Sequence, residues 1–228
     1  MSQADAIDEI PDIDGDFPPR RTHALIGHQR PMDEFLAAAQ GGRMPHAWLL
    51  CGPQGVGKAS FAYLAARAIL SHAAPRQITQ ISPAVESEAA RLLENSVHPD
   101  LYVLKRSYNE KTEKFRGDIS VDETRVLKKA FSLSSARGGW RVAIIDAIDE
   151  ITRNGVNALL KLIEEPPEKC LFLIICHNQG RVLDTIRSRC RQLHFNALDE
   201  GELQQIIAGK LDGVDPNEAA AAAFLADG

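Results

Sequence analysis

The feature that most constrains this chain is a glycine-rich stretch, "LLCGPQGVGKAS", which follows an apolar run and precedes a helical one. Gly52, Gly55 and Gly57 permit a backbone turn whose N–H groups point at an anion, and Lys58 can reach terminal phosphates. A buried strand before such a loop and a helix after it distinguish a true phosphate loop from a chance match. The stretch therefore predicts a P-loop nucleotide-binding fold.

Two positions of this predicted site lack the usual catalytic residue. The pattern G-x-x-x-x-G-K-[ST] ends in a hydroxyl that holds Mg²⁺, but Ala59 stands there, and Ser60 points about 100° away on a helix. Asp146 ends the buried run "RVAIID" and is placed to hold a metal through water, yet Ala147 occupies the position of the water-polarising glutamate. We expect little or no hydrolysis, no required cofactor, and ATP or ADP bound only weakly.

Strand-like and helix-like segments alternate along the chain, which predicts a parallel α/β sheet covered on both faces. The predicted strands are "HAWLLCG", "LYVL", "RVAIID" and "LFLIIC". Ser120 and Glu123 form a capping-box signal at the start of one helix, and the pair Pro166 and Pro167 ends another. The polar stretch "YNEKTEKFRGD" has no periodicity and predicts a mobile loop.

Composition suggests three parts. Residues 1–22 are acidic and rich in proline, which predicts a disordered leader, and 23–196 form the nucleotide-binding-type domain. The Ala- and Glu-rich residues 197–228 predict part of a small helical lid, with helices near 199–209 and 216–226.

Bulk properties exclude several classes of function. The 228 residues carry a net charge of −5, so no overall basic field indicates nucleic acid. The four cysteines have no metal-ligand spacing, and the acidic N-terminus is unlike a targeting signal. We therefore expect a cytoplasmic protein without a metal centre.

The order of several segments resembles the clamp loader of bacterial DNA polymerase III, a family of the AAA+ superfamily. These segments are "LIGH", "PHAWLLCGPQGVGKAS", "HPDLYVL", "RVAIIDAIDEITRNGVNALLKLIEEPP" and "DTIRSRCRQLHF". The resemblance covers residues 24–197, and the combination "NALLK-x-IEEPP … SRC" is highly specific. It implies a three-layer sandwich around a five-stranded parallel sheet, followed by a helical lid.

Within that family, the chain is more similar to the delta-prime type of subunit than to the motor type, gamma and tau. The resemblance implies that a motor subunit has a threonine in the loop, an acid pair on the strand and a four-cysteine zinc module. Ala59 and Ala147 replace the first two, and residues 72–98 contain no cysteine, so we expect no zinc. The missing module leaves the structure of residues 72–98 open.

The same resemblance assigns a role to Arg189, in the motif "SRC". It matches the arginine that clamp-loader subunits project into a neighbour's ATP site, where it engages the terminal phosphate. A surface arginine paired with a nearby acid is the alternative. The implied partners are gamma/tau and delta subunits and, through the assembly, primed DNA and the sliding clamp. The chain ends without the collar domain of delta-prime subunits, so we expect an N-terminal fragment that is monomeric alone.

Other candidates are weaker. His177 occupies the position of the family's γ-phosphate sensor, although a locally bonded histidine is equally compatible, and Glu164 and Glu165 predict only a helix stop. The basic residues Lys105, Arg106, Lys128 and Lys129 predict a solvated face.

Two rival functions stay open at this point. One is a motor ATPase that uses Ser60 and Asp149 in place of the usual residues. The other is an unrelated nucleotide-binding module with a regulatory role.

Overall fold

The computed structural model of the chain describes residues 18–82, 86–109, 112 and 114–210. Most of the predicted leader and the predicted helix near 216–226 lie outside the described residues.

A central sheet of five parallel strands organises the molecule. Over the described residues, the strands are β1 Ala47–Cys51, β2 Leu101–Lys105, β3 Tyr108–Asn109, β4 Lys114–Phe115, β5 Arg141–Asp146, β6 Cys170–Cys176 and β7 Arg191–His194. The central sheet has the order β2-β5-β6-β1-β7, and each neighbouring pair is parallel. The predicted five-stranded parallel sheet is confirmed.

Helices cover both faces of this sheet. They are α1 Gln29–Gln40, α2 Lys58–Leu70, α3 Glu88–Glu94, α4 Val121–Ser132, α5 Arg153–Glu164, α6 Asp184–Arg187 and α7 Glu200–Lys210. Side chains of β1 alternate between two cores: Leu50 packs with Phe61 of α2, and Leu49 packs with Leu159 of α5. Because both faces are buried, the strands are continuously apolar, and the molecule is a three-layer sandwich.

Local signals fix the ends of two helices. The Ser120 hydroxyl accepts from the Glu123 N–H at 3.3 Å, and the Glu123 carboxylate accepts from the Ser120 N–H at 2.6 Å. This reciprocal pair confirms the predicted capping box of α4. Helix α5 ends at Glu164, two residues before Pro166, as the proline pair predicts.

The prediction of a mobile loop after β2 is wrong in part, because the segment contains an antiparallel hairpin. Strands β3 and β4 pair, with Tyr108 opposite Phe115. Their rings are 5.5 Å apart, and the Arg106 guanidinium lies 5.7 Å from the centroid of the Phe115 ring. Strands of two residues are too short to show an alternation of apolar and polar residues. In the sequence, this hairpin is indicated only by its aromatic pair.

Residues 18–22, expected to belong to the leader, are ordered against the domain. They form a turn at Pro19–Arg21, whose Arg20 carbonyl accepts from Arg67 of α2 at 3.0 Å. Arg67 is 2% exposed and also pairs with Glu94 at 3.0 Å. A buried guanidinium needs such partners, so this turn belongs to the domain.

Residues 72–98, left open by the missing zinc module, are described except for 83–85. They contain a turn at Pro75–Gln77 and helix α3. The chain's four cysteines lie elsewhere and are buried as free thiols. Within the described part of the chain, no helix is long and apolar enough to cross a membrane.

Candidate functional site

The glycine loop lies at the carboxyl edge of the sheet, between β1 and α2, in the predicted strand–loop–helix context. A Cβ on Gly52 would lie 2.2 Å from the Phe195 carbonyl oxygen, so this position requires glycine. Gly57 precedes the first residue of α2 at φ +102°, a conformation that favours glycine. Gly55 also has a positive φ, +90°, so the fold favours glycine at all three positions.

Lys58 is folded back onto the loop that it follows. It is 3% exposed, and its ammonium donates to the Gly52 carbonyl at 2.8 Å and to the Pro53 carbonyl. Burial lowers the pKa of Lys58, and the nearby Asp146 carboxylate opposes that shift. The ammonium therefore has to exchange backbone carbonyls for phosphate oxygens when it binds a nucleotide.

The two residues after Lys58 provide no hydroxyl directed at a metal. Ala59 packs its methyl group against the core on the α1 and α2 side of the sheet. The Ser60 hydroxyl accepts a hydrogen bond from the Thr22 hydroxyl at 3.1 Å, which turns it toward the N-terminal segment. The arrangement agrees with the prediction from helical geometry that Ser60 does not replace the missing residue.

The acids after β5 have structural partners. Ala147 is fully buried, and the Asp149 carboxylate accepts from the backbone N–H groups of His177 at 3.0 Å and Asn178 at 3.2 Å. Glu150 pairs with Arg106 at 2.8 Å, and burial raises the pKa of its carboxyl group despite that positive neighbour. Both acids lie in the single 3-10 turn Ile148–Glu150 that opens after β5.

His177 lies directly after β6, beside the loop lysine. Burial lowers the pKa of its imidazole, and the positive charge of Lys58 lowers it further. Its Nδ1 is buried, and among the described residues it has no hydrogen-bond partner. The imidazole is therefore neutral, and in the part of the chain that the structure describes one of its nitrogens lacks a hydrogen-bond partner. The role of His177 as a sensor stays a prediction.

A cavity of about 520 Å³ opens beside the phosphate loop. Gly55, Gly57 and Ser60 line one wall, residues 21–26 line another, and Ile206 of α7 lines a third. This volume suits a ligand of nucleotide size. A larger cavity of about 630 Å³ contains no residue of the glycine loop, so its size does not make it the nucleotide site.

Arg189 follows α6 on the protein surface. Its guanidinium pairs with the Glu164 carboxylate at 2.9 Å and donates to the Thr185 carbonyl at 2.9 Å. The side chains of Arg189 and Glu164 are 39% and 40% exposed. The structure thus contains an ion pair between Arg189 and a nearby acid, which was the alternative interpretation. The pair also leaves the guanidinium accessible.

The predicted site residues fall into two groups. Asp146 influences the Lys58 ammonium, and this pair lies with the glycines at one edge of the sheet. Arg189 belongs to a separate surface region beside α5 and α6. Sequence reasoning missed the partners Thr22 and Glu164, because neither has a motif that links it to its distant contact.

Comparison with known proteins identifies the group to which this architecture belongs. The sequence model of a family described as DNA polymerase III, delta subunit, matches residues 27–199, more than half of the chain. The chain belongs to the DNA polymerase III clamp-loader family. The predicted family is confirmed, and an unrelated nucleotide-binding module is excluded.

Individual relatives include both subunit types of the clamp-loader family. DNA polymerase III subunit delta' of Pseudomonas aeruginosa is 35% identical over 168 residues, 71% of this chain and 47% of that protein. Subunit tau/gamma of Haemophilus influenzae is 30% identical over 191 residues, 83% of this chain and 26% of that protein. The chain spans about half the length of the first relative and about a quarter of the second.

Solved structures support the fold assignment. The RuvB Holliday junction branch migration motor of Thermotoga maritima matches with a TM-score of 0.54 and 20% identity, over 90% of this chain and 59% of that one. A gamma subunit-related protein from Thermotoga maritima matches with a TM-score of 0.50 and 17% identity, over 84% and 57%. At these identities the likeness concerns the fold alone, which is the AAA+ P-loop type.

Proposed function

We propose that the chain is a delta-prime-type clamp-loader subunit that does not hydrolyse ATP itself. It donates Arg189 to the ATP site of a neighbouring subunit while the sliding clamp is loaded onto primed DNA. Its partners are gamma/tau and delta subunits in the cytoplasm, and it requires no cofactor or zinc of its own.

The observation that carries this proposal is the absence of a hydroxyl on Ala59 together with the engagement of Ser60 by Thr22. The acid that would complete a rival catalytic set, Asp149, is bonded to the backbone after β6. General-base catalysis contributes about 10²–10⁴-fold to rate, and the missing metal ligand adds to that loss. The loop, Lys58 and Asp146 suit weak binding of a nucleotide better than its turnover.

Magnitudes favour Arg189 as a donor despite its pair with Glu164. An exposed ion pair contributes about 0.2–1 kcal/mol. An arginine finger contributes about 10³–10⁵ in rate in other phosphoryl-transfer systems, equivalent to about 4–7 kcal/mol. The gain at a neighbour's phosphate therefore exceeds the full contribution of the pair with Glu164.

The second candidate is an ATP-hydrolysing motor subunit of the gamma/tau type. The identity to tau/gamma over a larger share of the chain favours it. It requires Ser60 to leave Thr22 and Asp149 to leave the backbone after β6.

Steady-state hydrolysis distinguishes the two candidates. In a loader assembled from the native subunits, Arg189→Ala should slow DNA-stimulated hydrolysis at the neighbouring site by about 10³-fold. The control Arg187→Ala changes an equally exposed arginine, which pairs within its own helix with Asp184, and should have little effect.

The isolated chain supplies the second measurement. We expect no turnover by the wild-type chain, so the variant Lys58→Ala should not change its rate. Turnover that Lys58→Ala abolishes would establish the motor candidate. Unchanged hydrolysis in the Arg189→Ala loader would reject the donor role.

A further inference from the structure

The guanidinium of Arg189 has contacts with residues of two helices. One terminal nitrogen, Nη2, pairs with Glu164, and the other, Nη1, donates to the Thr185 carbonyl and to the Ser188 hydroxyl at 3.4 Å. Glu164 is the last residue of α5, whereas Thr185 belongs to α6. Two helices therefore hold one exposed guanidinium.

The position of Glu164 is not explained by its own helix. The carboxyl end of a helix carries partial negative charge, so an acid there is unfavourable, while a base such as Lys161 is favourable. The proline pair explains why α5 stops, but it does not require a charged residue before it. The contact with Arg189 gives the carboxylate a partner.

The contacts leave Arg189 able to bind a phosphate. A guanidinium has five N–H donors, and three are engaged when each contact takes one. Two N–H groups remain for phosphate oxygens. Glu164 therefore does not have to be displaced before the arginine begins to engage an anion.

We propose that Glu164 is a positioning residue for Arg189. It fixes the arginine side chain over the junction of α5 and α6 before a neighbouring subunit arrives. A long flexible side chain loses rotamer freedom when it is fixed, and Glu164 imposes much of that order in advance. This inference rests on the proposed function, because it concerns the same arginine.

The chain offers a matched control in the next arginine of the motif. Arg187 has the same exposed fraction as Arg189, 39%, and it also pairs with a carboxylate. Its partner Asp184 lies in the same short helix, so that pair does not join two elements. Asp184→Asn removes a carboxylate from an arginine but changes none of the described groups that contact the Arg189 guanidinium, which are Glu164, Thr185 and Ser188.

The first test uses a loader assembled from the native subunits, in which this subunit carries each substitution. Glu164→Gln should lower kcat for DNA-stimulated hydrolysis by about two- to five-fold, the range of an exposed ion pair, with KM for ATP unchanged. In the Arg189→Ala background the same change should have no further effect. Asp184→Asn should change kcat by less than about two-fold.

The second test observes the arginine directly in the isolated chain. In the ¹⁵N NMR spectrum of arginine Nε–H groups, Glu164→Gln should increase the mobility and hydrogen exchange of Arg189 and leave Arg187 unchanged. Asp184→Asn should increase the mobility and hydrogen exchange of Arg187 and leave Arg189 unchanged. A signal of Arg189 that does not respond to Glu164→Gln would overturn the inference, whatever the loader does.

The outcomes separate this inference from the proposed function. If Arg189→Ala does not affect hydrolysis, the proposed function is wrong and Glu164 has nothing to position. If Arg189→Ala abolishes hydrolysis but Glu164→Gln leaves it unchanged or increases it, only the positioning role is wrong.

Discussion

Two glycines of the phosphate loop have different physical reasons for lacking a side chain. At Gly52, an added Cβ would collide at 2.2 Å with the backbone carbonyl of Phe195, an atom that cannot rotate away. At Gly55, an added Cβ meets nothing within 4 Å, but the backbone has φ +90°. The first position is limited by packing between chain segments, and the second by local backbone conformation.

We predict different losses of stability for alanine at these positions. Gly55→Ala should lower the free energy of unfolding by about 1–2 kcal/mol, the cost of left-handed backbone for an L residue. Gly52→Ala should lower it by more, because Phe195 and the end of β7 must also shift. Urea unfolding of both variants measures this difference. Equal losses would show that packing against Phe195 is unimportant.

At the residue scale, the sequence predicted where a residue lies in the fold better than it predicted which residues contact it. Lys58 and Ala59 lie at the start of α2 and Asp146 at the end of β5, where the sequence places them, because a phosphate loop has a fixed local order. The bonds of Ser60 to Thr22 and of Arg189 to Glu164 join residues that lie 38 and 25 positions apart. Such contacts depend on how the helices pack, which no local pattern specifies.

At the element scale, the hairpin β3–β4 shows how a short element escapes a periodicity argument. The long strands were predictable because each is a continuous apolar run, and the long helices because each repeats an apolar face over several turns. The hairpin contains two residues per strand, and its aromatic pair is Tyr108 and Phe115. The Arg106 guanidinium lies over the Phe115 ring of this pair. The backbone N–H of Arg116 donates to the Ser107 carbonyl at 2.9 Å and extends this pairing.

We predict that Phe115 is the main side chain that orders this hairpin. Phe115→Ala removes its contacts with Tyr108 and Arg106, so the amide hydrogen of Arg116 should exchange about five-fold faster or more, corresponding to about 1 kcal/mol. Hydrogen exchange followed by NMR measures the effect.

The control for this prediction is Val126→Ala, because Val126 is an exposed apolar residue of α4 with 46% exposure, similar to the 42% of Phe115. Exchange at Arg116 should not respond to it. An equal response to both substitutions, or none to Phe115→Ala, would contradict an aromatic origin for the hairpin's order.

At the scale of the whole molecule, the cavity beside the phosphate loop joins distant parts of the chain. Its walls come from the N-terminal segment 21–26, from the loop at Gly55–Gly57 and from α7. The sequence did not predict this construction, because residues 18–22 appeared too polar and proline-rich to belong to the domain. Their Arg20 carbonyl accepts from Arg67, a buried residue of α2 that lies 47 positions further along the chain.

Because the cavity joins these segments, a bound nucleotide should stabilise the folded chain as a whole. For the wild-type chain, we expect ADP or ATP to raise Tm equally with and without Mg²⁺, since Ala59 provides no ligand for the metal. Ala59→Ser restores a hydroxyl beside Lys58, and Asp146 is already present at the end of β5.

In the Ala59→Ser chain, Mg²⁺ should therefore increase nucleotide affinity. A tenfold increase adds about 1.4 kcal/mol of stability at saturating nucleotide, which corresponds to a rise in Tm of about 3–6 °C for a chain of this size. Thermal unfolding with and without Mg²⁺ measures the difference. The matched variant Ser60→Ala should behave as the wild-type chain does, because the Ser60 hydroxyl is bonded to Thr22. A wild-type response to Mg²⁺ that Ser60→Ala removes would instead mean that Ser60 leaves Thr22 to bind the metal, which is the arrangement that a motor subunit requires.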